Sequence, residues 1–272
     1  MIINMHSFPQ EFLHSLLLFL LLFGFLQLYY FSCTILPILG TYYPYGFIAH
    51  MSFYMAESVV LYFYVKLVRK ESFSNIGFRE SGKWRRFCIL GFVLAIFHNA
   101  VGLAFSIFIL GLKYGFYLPL YIYIPVYFAA YLLISVSEEG IFRGCILGGL
   151  LNRYGVKSSI ILSSLLFGLY HLGYPFLLDW PSGTITIITH IFYSFTVGLF
   201  LGYLYIKAGR NLLGPVSYHF SQMFFNIPYL WMGATLGAQP QSLTSQMLLQ
   251  LISTLLHIAL NTIQILIVKI FA

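Results

Sequence analysis

Charge is what this chain of 272 residues has least of: only 8% are Asp, Glu, Lys or Arg, against roughly 25% in an ordinary soluble domain. With 60% hydrophobic residues and a mean hydropathy of +0.87, it cannot cover a soluble globule with polar surface. Soluble enzymes and nucleic-acid binders are excluded on that ground. Cysteine is scarce too. Cys33, Cys88 and Cys145 sit singly in apolar runs with no C-x-x-C, which excludes a disulfide framework and a structural zinc knot. Aspartate occurs once, at Asp179, so an intramembrane aspartyl dyad cannot be built. No His is followed by Glu, which removes the H-E-x-x-H zinc motif, and no G-x-S-G occurs. The apolar runs lack the period-2 alternation of a lipid-facing barrel. They also lack the inverted repeat of a secondary transporter. The N-terminus has no basic n-region and no A-x-A site, so the first run reads as a retained helix and not a cleaved signal.

What is present is a series of long apolar runs. At ~20 residues per span, the chain is predicted to form an all-α, polytopic transmembrane bundle of about eight helices. They fall near 12–34, 46–66, 87–110, 119–142 (with a continuation toward 152), 157–173, 184–206, 212–233 and 246–271. Fourteen Lys and Arg against seven acids give a net charge of +7. Seven of the basic residues crowd the 66–86 loop: Lys66, Arg69, Lys70, Arg79, Lys83, Arg85 and Arg86. With that loop in the cytosol, Arg153, Lys157, Lys207, Arg210 and Lys269 fall on the same side, as the positive-inside rule requires. Both termini are then cytosolic. Three portions follow: helices 1–3 with the basic loop at 1–118, a core at 119–233, and a last helix at 234–272.

Against so few charges, ionisable residues inside a span need a reason, because they are expensive at membrane depth. Ser137-Glu138-Glu139-Gly140-Ile141-Phe142-Arg143 places adjacent carboxylates in an apolar helix. Glu139 and Arg143 are i, i+4 neighbours in the favourable acid-first order. Glu138 points about 100° away and is left as an inward-facing base. Counted from Arg153 and Lys157, Glu138 and His171 lie roughly 22 and 21 Å deep, matched on neighbouring helices. His219 lies roughly 13 Å in by the same rise, and Asn226, seven residues on, is deeper on the same face. A desolvated carboxylate can take a proton from water near neutral pH. A neutral imidazole can share that water or bind a metal, and a second imidazole and a carboxamide can donate to an oxyanion. The set suits peptide-bond hydrolysis in a secluded site. His190 reaches a similar depth, and Glu57 is a further intramembrane acid that reads as a packing or gating residue, paired with His50 or with another helix. His14, His98 and His257 are lone imidazoles on apolar helices and read as hydrogen-bonded structural residues. Gly144-x-x-x-Gly148 and Gly198-x-x-x-Gly202 read as helix-approach motifs.

At these residues the sequence resembles the CPBP family, the CAAX-protease and bacteriocin-processing intramembrane proteases. E-E-x-x-x-R is matched by Glu138, Glu139 and Arg143, and F-x-x-x-H by Phe167 and His171. H-x-x-x-N is matched at His219, with Met223 where the family has Asn and with Gln222 and Asn226 nearby. The resemblance covers about residues 120–230. It implies a membrane-bound endopeptidase in which Glu138 and His171 activate water and His219 stabilises the oxyanion. Glu138, His171 and His219 would be the ligands if one divalent ion, zinc, is bound. Its partners would be the bilayer and a membrane-associated peptide or protein substrate, with no nucleic acid, in a bacterial plasma membrane. Met223 leaves open the alternative of a catalytically impaired relative that acts as a bacteriocin-immunity or partner-binding protein.

Overall fold

The computed structural model describes residues 8–35, 45–80, 82–109, 113–114, 124–172, 183–231, 234–235 and 243–271, and of these only the backbone at 8–9, 30–35, 45–50, 183–186, 226–231, 243–247 and 250 and at the two β pairs. Apolar runs with few breakers become helices because lipid leaves backbone polar groups no partners outside the segment. Among the described residues there are eight: α1 Phe8–Ile35, α2 Tyr45–Phe63, α3 Trp84–Phe108, α4 Ile124–Glu139, α5 Val156–Tyr170, α6 Gly183–Lys207, α7 Leu213–Trp231 and α8 Leu243–Phe271. α2 runs on as a π-helical turn, Tyr64–Val68, and α4 as a π-helical segment, Gly140–Leu147, followed by Gly148–Leu150. Six of the helical units are long and apolar enough to cross a membrane. α5 is shorter, with 15 residues. Lys113–Tyr114 and Ala234–Thr235 pair antiparallel and tie the segments after α3 and α7 together.

The start of α1 and the end of α8 gather on one face. Arg86 donates to the carbonyl of Phe271, joining the start of α3 to the end of α8. At the other terminus, Glu11 of α1 and Arg69 both lie against Gly149. The starts of α1 and α3 and the end of α8 therefore share the face that carries the basic 66–86 loop. That loop does not hang free. Ile76 is buried, Gly77 accepts from the Leu212 amide, and Asn211 donates to the Arg79 carbonyl. It seals the bundle beneath α4 and the α6–α7 turn.

Helices meet closely where glycine replaces a side chain, as lipid-embedded packing favours. α3 lies along α7 with Gly91 against the Gly214 backbone, and a methyl group on Gly91 would stand 2.5 Å from the Gly214 carbonyl oxygen. Gly198 of α6 seats Ser164 of α5 in the same way, and Gly202 seats Ile160. Gly144 admits the Ile76 carbonyl at the 66–86 loop, whereas Gly148 has no such close neighbour. Because the obstruction at Gly91 is backbone, Gly91→Ala should destabilise the bundle by about 1–3 kcal/mol. Unfolding of the detergent-solubilised protein measures this, and an unchanged transition would show that α3 and α7 can separate freely.

Candidate functional site

α4 carries Glu138 and Glu139 at its end, where the winding changes from α to π. The π segment frees carbonyls from regular pairing, and side chains from other elements take them: Ser163 of α5 donates to Phe142 at 2.8 Å and Arg69 to Cys145 at 3.1 Å. Single-turn π insertions often mark functional sites, and this one spans eight residues. Glycines make it possible, since a side chain at Gly140 would collide with Leu61 and one at Gly144 with Ile76.

All four charged or titratable groups here are withdrawn from the exterior: relative exposure is 2% for Glu138, 0% for Glu139, 1% for Arg143 and 8% for His219. Arg143 donates to Glu139 Oε1 at 3.1 Å, forming the i, i+4 ion pair, and its guanidinium lies 4.2 Å from the Phe167 ring centroid. His219 of α7 stands between the two carboxylates, with Nδ1 2.8 Å from Glu139 Oε1 and Nε2 3.8 Å from Glu138 Oε2. Glu138 is thus opposed by an imidazole and is not left alone. Glu139 accepts from two cationic or donor groups through one oxygen, while its Oε2 and Arg143 Nη2 have no partner among the described residues.

The depth count expected His219 to be shallower than Glu138, and the structure brings them level. A π segment advances less per residue than an α-helix, so Glu138 lies nearer the 66–86 face than the count of α-helical residues gives. Asn211 and Leu212, next to Arg210, are already fully buried, so counting from Arg210 placed His219 too close to that face.

His171 caps the end of α5, which stops at Tyr170 in a short 3₁₀ turn. Its Nδ1 is 2.8 Å from the Phe167 carbonyl oxygen. That contact requires the proton on Nδ1 and leaves Nε2 as an acceptor in the neutral ring. The rings of His171 and His219 both lie against Phe167, at 4.7 and 6.4 Å between centroids. His190 of α6 joins this group with its ring 5.4 Å from His171.

Three further placements bear on the sequence expectations. Glu57 of α2 accepts a hydrogen bond from Tyr170 of α5, the residue before His171, so its partner comes from another helix, and it interacts electrostatically with Glu138. His50, its expected partner, lies outside the described side chains, as does Asn226. Met223 packs against the main hydrophobic core, and the Gln222 carboxamide donates to Tyr193. His98 and His257, each alone on its own helix, have the hydrogen bond expected of structural imidazoles, and it is to each other, at 2.7 Å. Cys88 and Cys145 are free thiols. The close approaches at Gly140 and Gly144 were the one sequence signal of the π segment, since glycines four apart mark a face that another element must approach.

A zinc ion would need Glu138, His171 and His219 to converge. Among the described residues no three His, Cys, Asp or Glu side chains are placed to hold an ion. Glu139 is committed to Arg143 and His219. As they stand, the residues do not fit a metal centre.

The bundle and its buried centre define a multi-pass helical membrane protein with carboxylate–imidazole chemistry enclosed among its helices. Residues 119–225 match the Rce1-like family model, that of the type II CAAX prenyl endopeptidases, and this match supports membership of the CPBP family of CAAX proteases. Glu138, Glu139, Arg143, His171 and His219 all fall inside the matched residues; Glu57, His98 and His257 fall outside. No curated protein matches the chain.

Proposed function

We propose that the protein is an intramembrane endopeptidase that hydrolyses a peptide bond of a membrane-associated peptide or protein with a glutamate-activated water. One observation carries this reading: His219 lies between two buried carboxylates, 2.8 Å from Glu139 and 3.8 Å from Glu138. The Glu139 contact puts a proton on His219 Nδ1 and turns Nε2 toward Glu138. At 3.8 Å, Glu138 and Nε2 stand just beyond hydrogen-bond reach, and a small approach during the reaction lets a proton pass between them without leaving the site. In the reaction, water gives one proton to Glu138 while His171 Nε2 accepts its other hydrogen and orients it. The water oxygen bonds to the substrate carbonyl carbon, and the oxyanion accepts from protonated His219 Nε2. Glu138 returns its proton to the departing nitrogen as the C–N bond breaks. Arg143 pairs with Glu139 at 3.1 Å, and Glu139 in turn holds His219 in place and is a positioning residue. The basic face with both chain ends is assigned to the cytosol of a bacterial plasma membrane, on the positive-inside rule.

No step passes through a metal. Millimolar 1,10-phenanthroline or EDTA should therefore leave cleavage within about twofold of the untreated rate; loss that added zinc restores would overturn the glutamate-only route. A second reading rests on Met223, which packs half-buried against the core where the family has Asn: the protein binds a partner and does not cleave it. Comparative peptidomics of cells carrying wild-type or Glu138→Ala protein separates the two. Accumulation of an uncleaved species in the variant supports the peptidase, and identical peptide profiles with intact biological function support the binder.

A further inference from the structure

Beside the glutamate centre, α3, α6, α7 and α8 line a half-open cavity of about 320 Å³. Its lining includes His98, Asn99, Tyr193, Gln222, Ser253 and His257. In a chain that is 60% hydrophobic, this much polar surface within the bundle is unexpected. Polar groups withdrawn from water without partners cost several kcal/mol, so the cavity is suited to a polar occupant.

The hydrogen bonds around it show which polarity it presents. Gln264 Nε2 donates to the Leu94 carbonyl at 3.0 Å, and Gln264 Oε1, which can only accept, lies 3.1 Å from the Tyr218 hydroxyl. The single hydroxyl hydrogen of Tyr218 must go there. Its oxygen, 3.1 Å from His98 Nδ1, accepts from that ring. This contact is shorter than the 3.4 Å from Nδ1 to Gln264 Nε2, whose own hydrogen bond goes to Leu94, and it puts the proton on Nδ1. His98 Nε2 is then the acceptor in the 2.7 Å bond to His257 Nδ1, and His257 Nε2 is left without a proton. This relay, anchored on backbone, ends in an acceptor on a residue that lines the cavity. Across from it, with rings 5.1 Å apart, stands Tyr193. Its hydroxyl accepts from Gln222, which leaves its own hydrogen to donate, with no acceptor for it among the described residues.

An acceptor and a donor side by side match one residue of an extended peptide, whose N–H and C=O point the same way. The cavity also adjoins the reactive groups. Gln222 is three residues beyond His219, and Tyr193 is three beyond His190, about one helical turn in each case. His190 in turn touches His171. We propose that this cavity is a main-chain subsite for the peptide substrate: one residue near the scissile bond docks its N–H on His257 Nε2 and its C=O on the Tyr193 hydroxyl. The proposal rests on the peptidase reading for the identity of the peptide, and on its own geometry for the contacts. It also accounts for the Met223 departure, because the polar residue of that turn is Gln222, turned toward the subsite.

The test uses full-length protein in detergent carrying Glu138→Gln, so that no probe is consumed. Binding of acetyl-Ala-Leu-Ala-amide is compared with that of the same peptide N-methylated at the central amide. Losing one such hydrogen bond should weaken binding about tenfold. The N-methyl peptide should therefore bind about tenfold more weakly, as should the parent peptide to Tyr193→Phe. In His257→Leu the two peptides should bind alike. If His257→Leu does not fold, Ser253→Leu, which fills the cavity, should abolish binding of both. The proposal is overturned if the parent peptide does not bind, if N-methylation makes no difference, or if the variants bind as well as their parent. Cleavage of cellular peptides by the otherwise wild-type protein is scored in parallel. Cleavage with indifferent probe binding removes the subsite alone, and probe discrimination without cleavage removes the peptidase reading alone.

Discussion

Glu138→Ala should lower the rate of peptide cleavage by about 10³-fold or more while the protein still inserts and folds. Positioned general bases contribute about 10²–10⁴-fold, and here the same carboxylate takes the proton from water and returns it to the leaving nitrogen. The side chain is buried, with the nearest opposing group, His219 Nε2, at 3.8 Å. That is too far for a good hydrogen bond, so the fold gains little from Glu138. Glu138→Gln keeps the shape and removes the burden of a buried carboxyl group. It should lose activity to the same degree with a thermal transition at or above that of the wild type. Activity and stability moving in opposite directions is the signature of a residue kept for chemistry. Turnover of a confirmed substrate by Glu138→Gln within tenfold of wild type would remove Glu138 from the reaction. Collapse of the fold in Glu138→Gln would recast it as a structural residue.

Much of this arrangement could be read from residue spacing. Eight apolar runs imply eight helices, because lipid permits few alternatives, and among the described residues six helical units are long and apolar enough to span. Glu139 and Arg143 are four apart, and four apart on a helix means adjacent. What could not be read depends on departures from regular winding and on contacts between distant segments. The depth of His219 relative to Glu138 was misjudged because Gly140–Leu147 is π-wound, and no local pattern announces a change of winding by itself. The 66–86 loop looked like a topology signal alone, yet Ile76 and Gly77 pack under α4 and α7 and support the segment that carries the glutamates. Spacing could not say which helix would partner Glu57: it is α5, through Tyr170, 113 positions away. His98 and His257 looked alone for the same reason. An imidazole in lipid is a question that its own helix cannot answer, since the partner comes from another helix.

The second large effect concerns Arg143. Removing one member of a buried ion pair leaves the other charge uncompensated, which typically destabilises by about 3–5 kcal/mol. Arg143→Met keeps most of the side-chain volume beside Phe167 but removes the donor 3.1 Å from Glu139 Oε1. Glu139 then retains only the His219 Nδ1–H at 2.8 Å, in a place with no exposure. Unfolding of the detergent-solubilised variant should show a loss of that size. Activity should fall as well, because a proton taken up by Glu139 ends its hold on His219. The double variant Glu139→Gln/Arg143→Met has no charge to strand and should recover at least half of the lost stability. Activity should not return with it, since an amide does not hold His219 as an ionised carboxylate does. The recovery is what separates electrostatics from packing: if Arg143 served only to fill space, the second substitution would leave the loss unchanged or deepen it. A single-variant loss below about 1 kcal/mol would mean that Glu139 is already neutral in the folded protein. His219 would then be held by a carboxylic acid, and the shared proton would have to be assigned to Glu139 instead of Glu138.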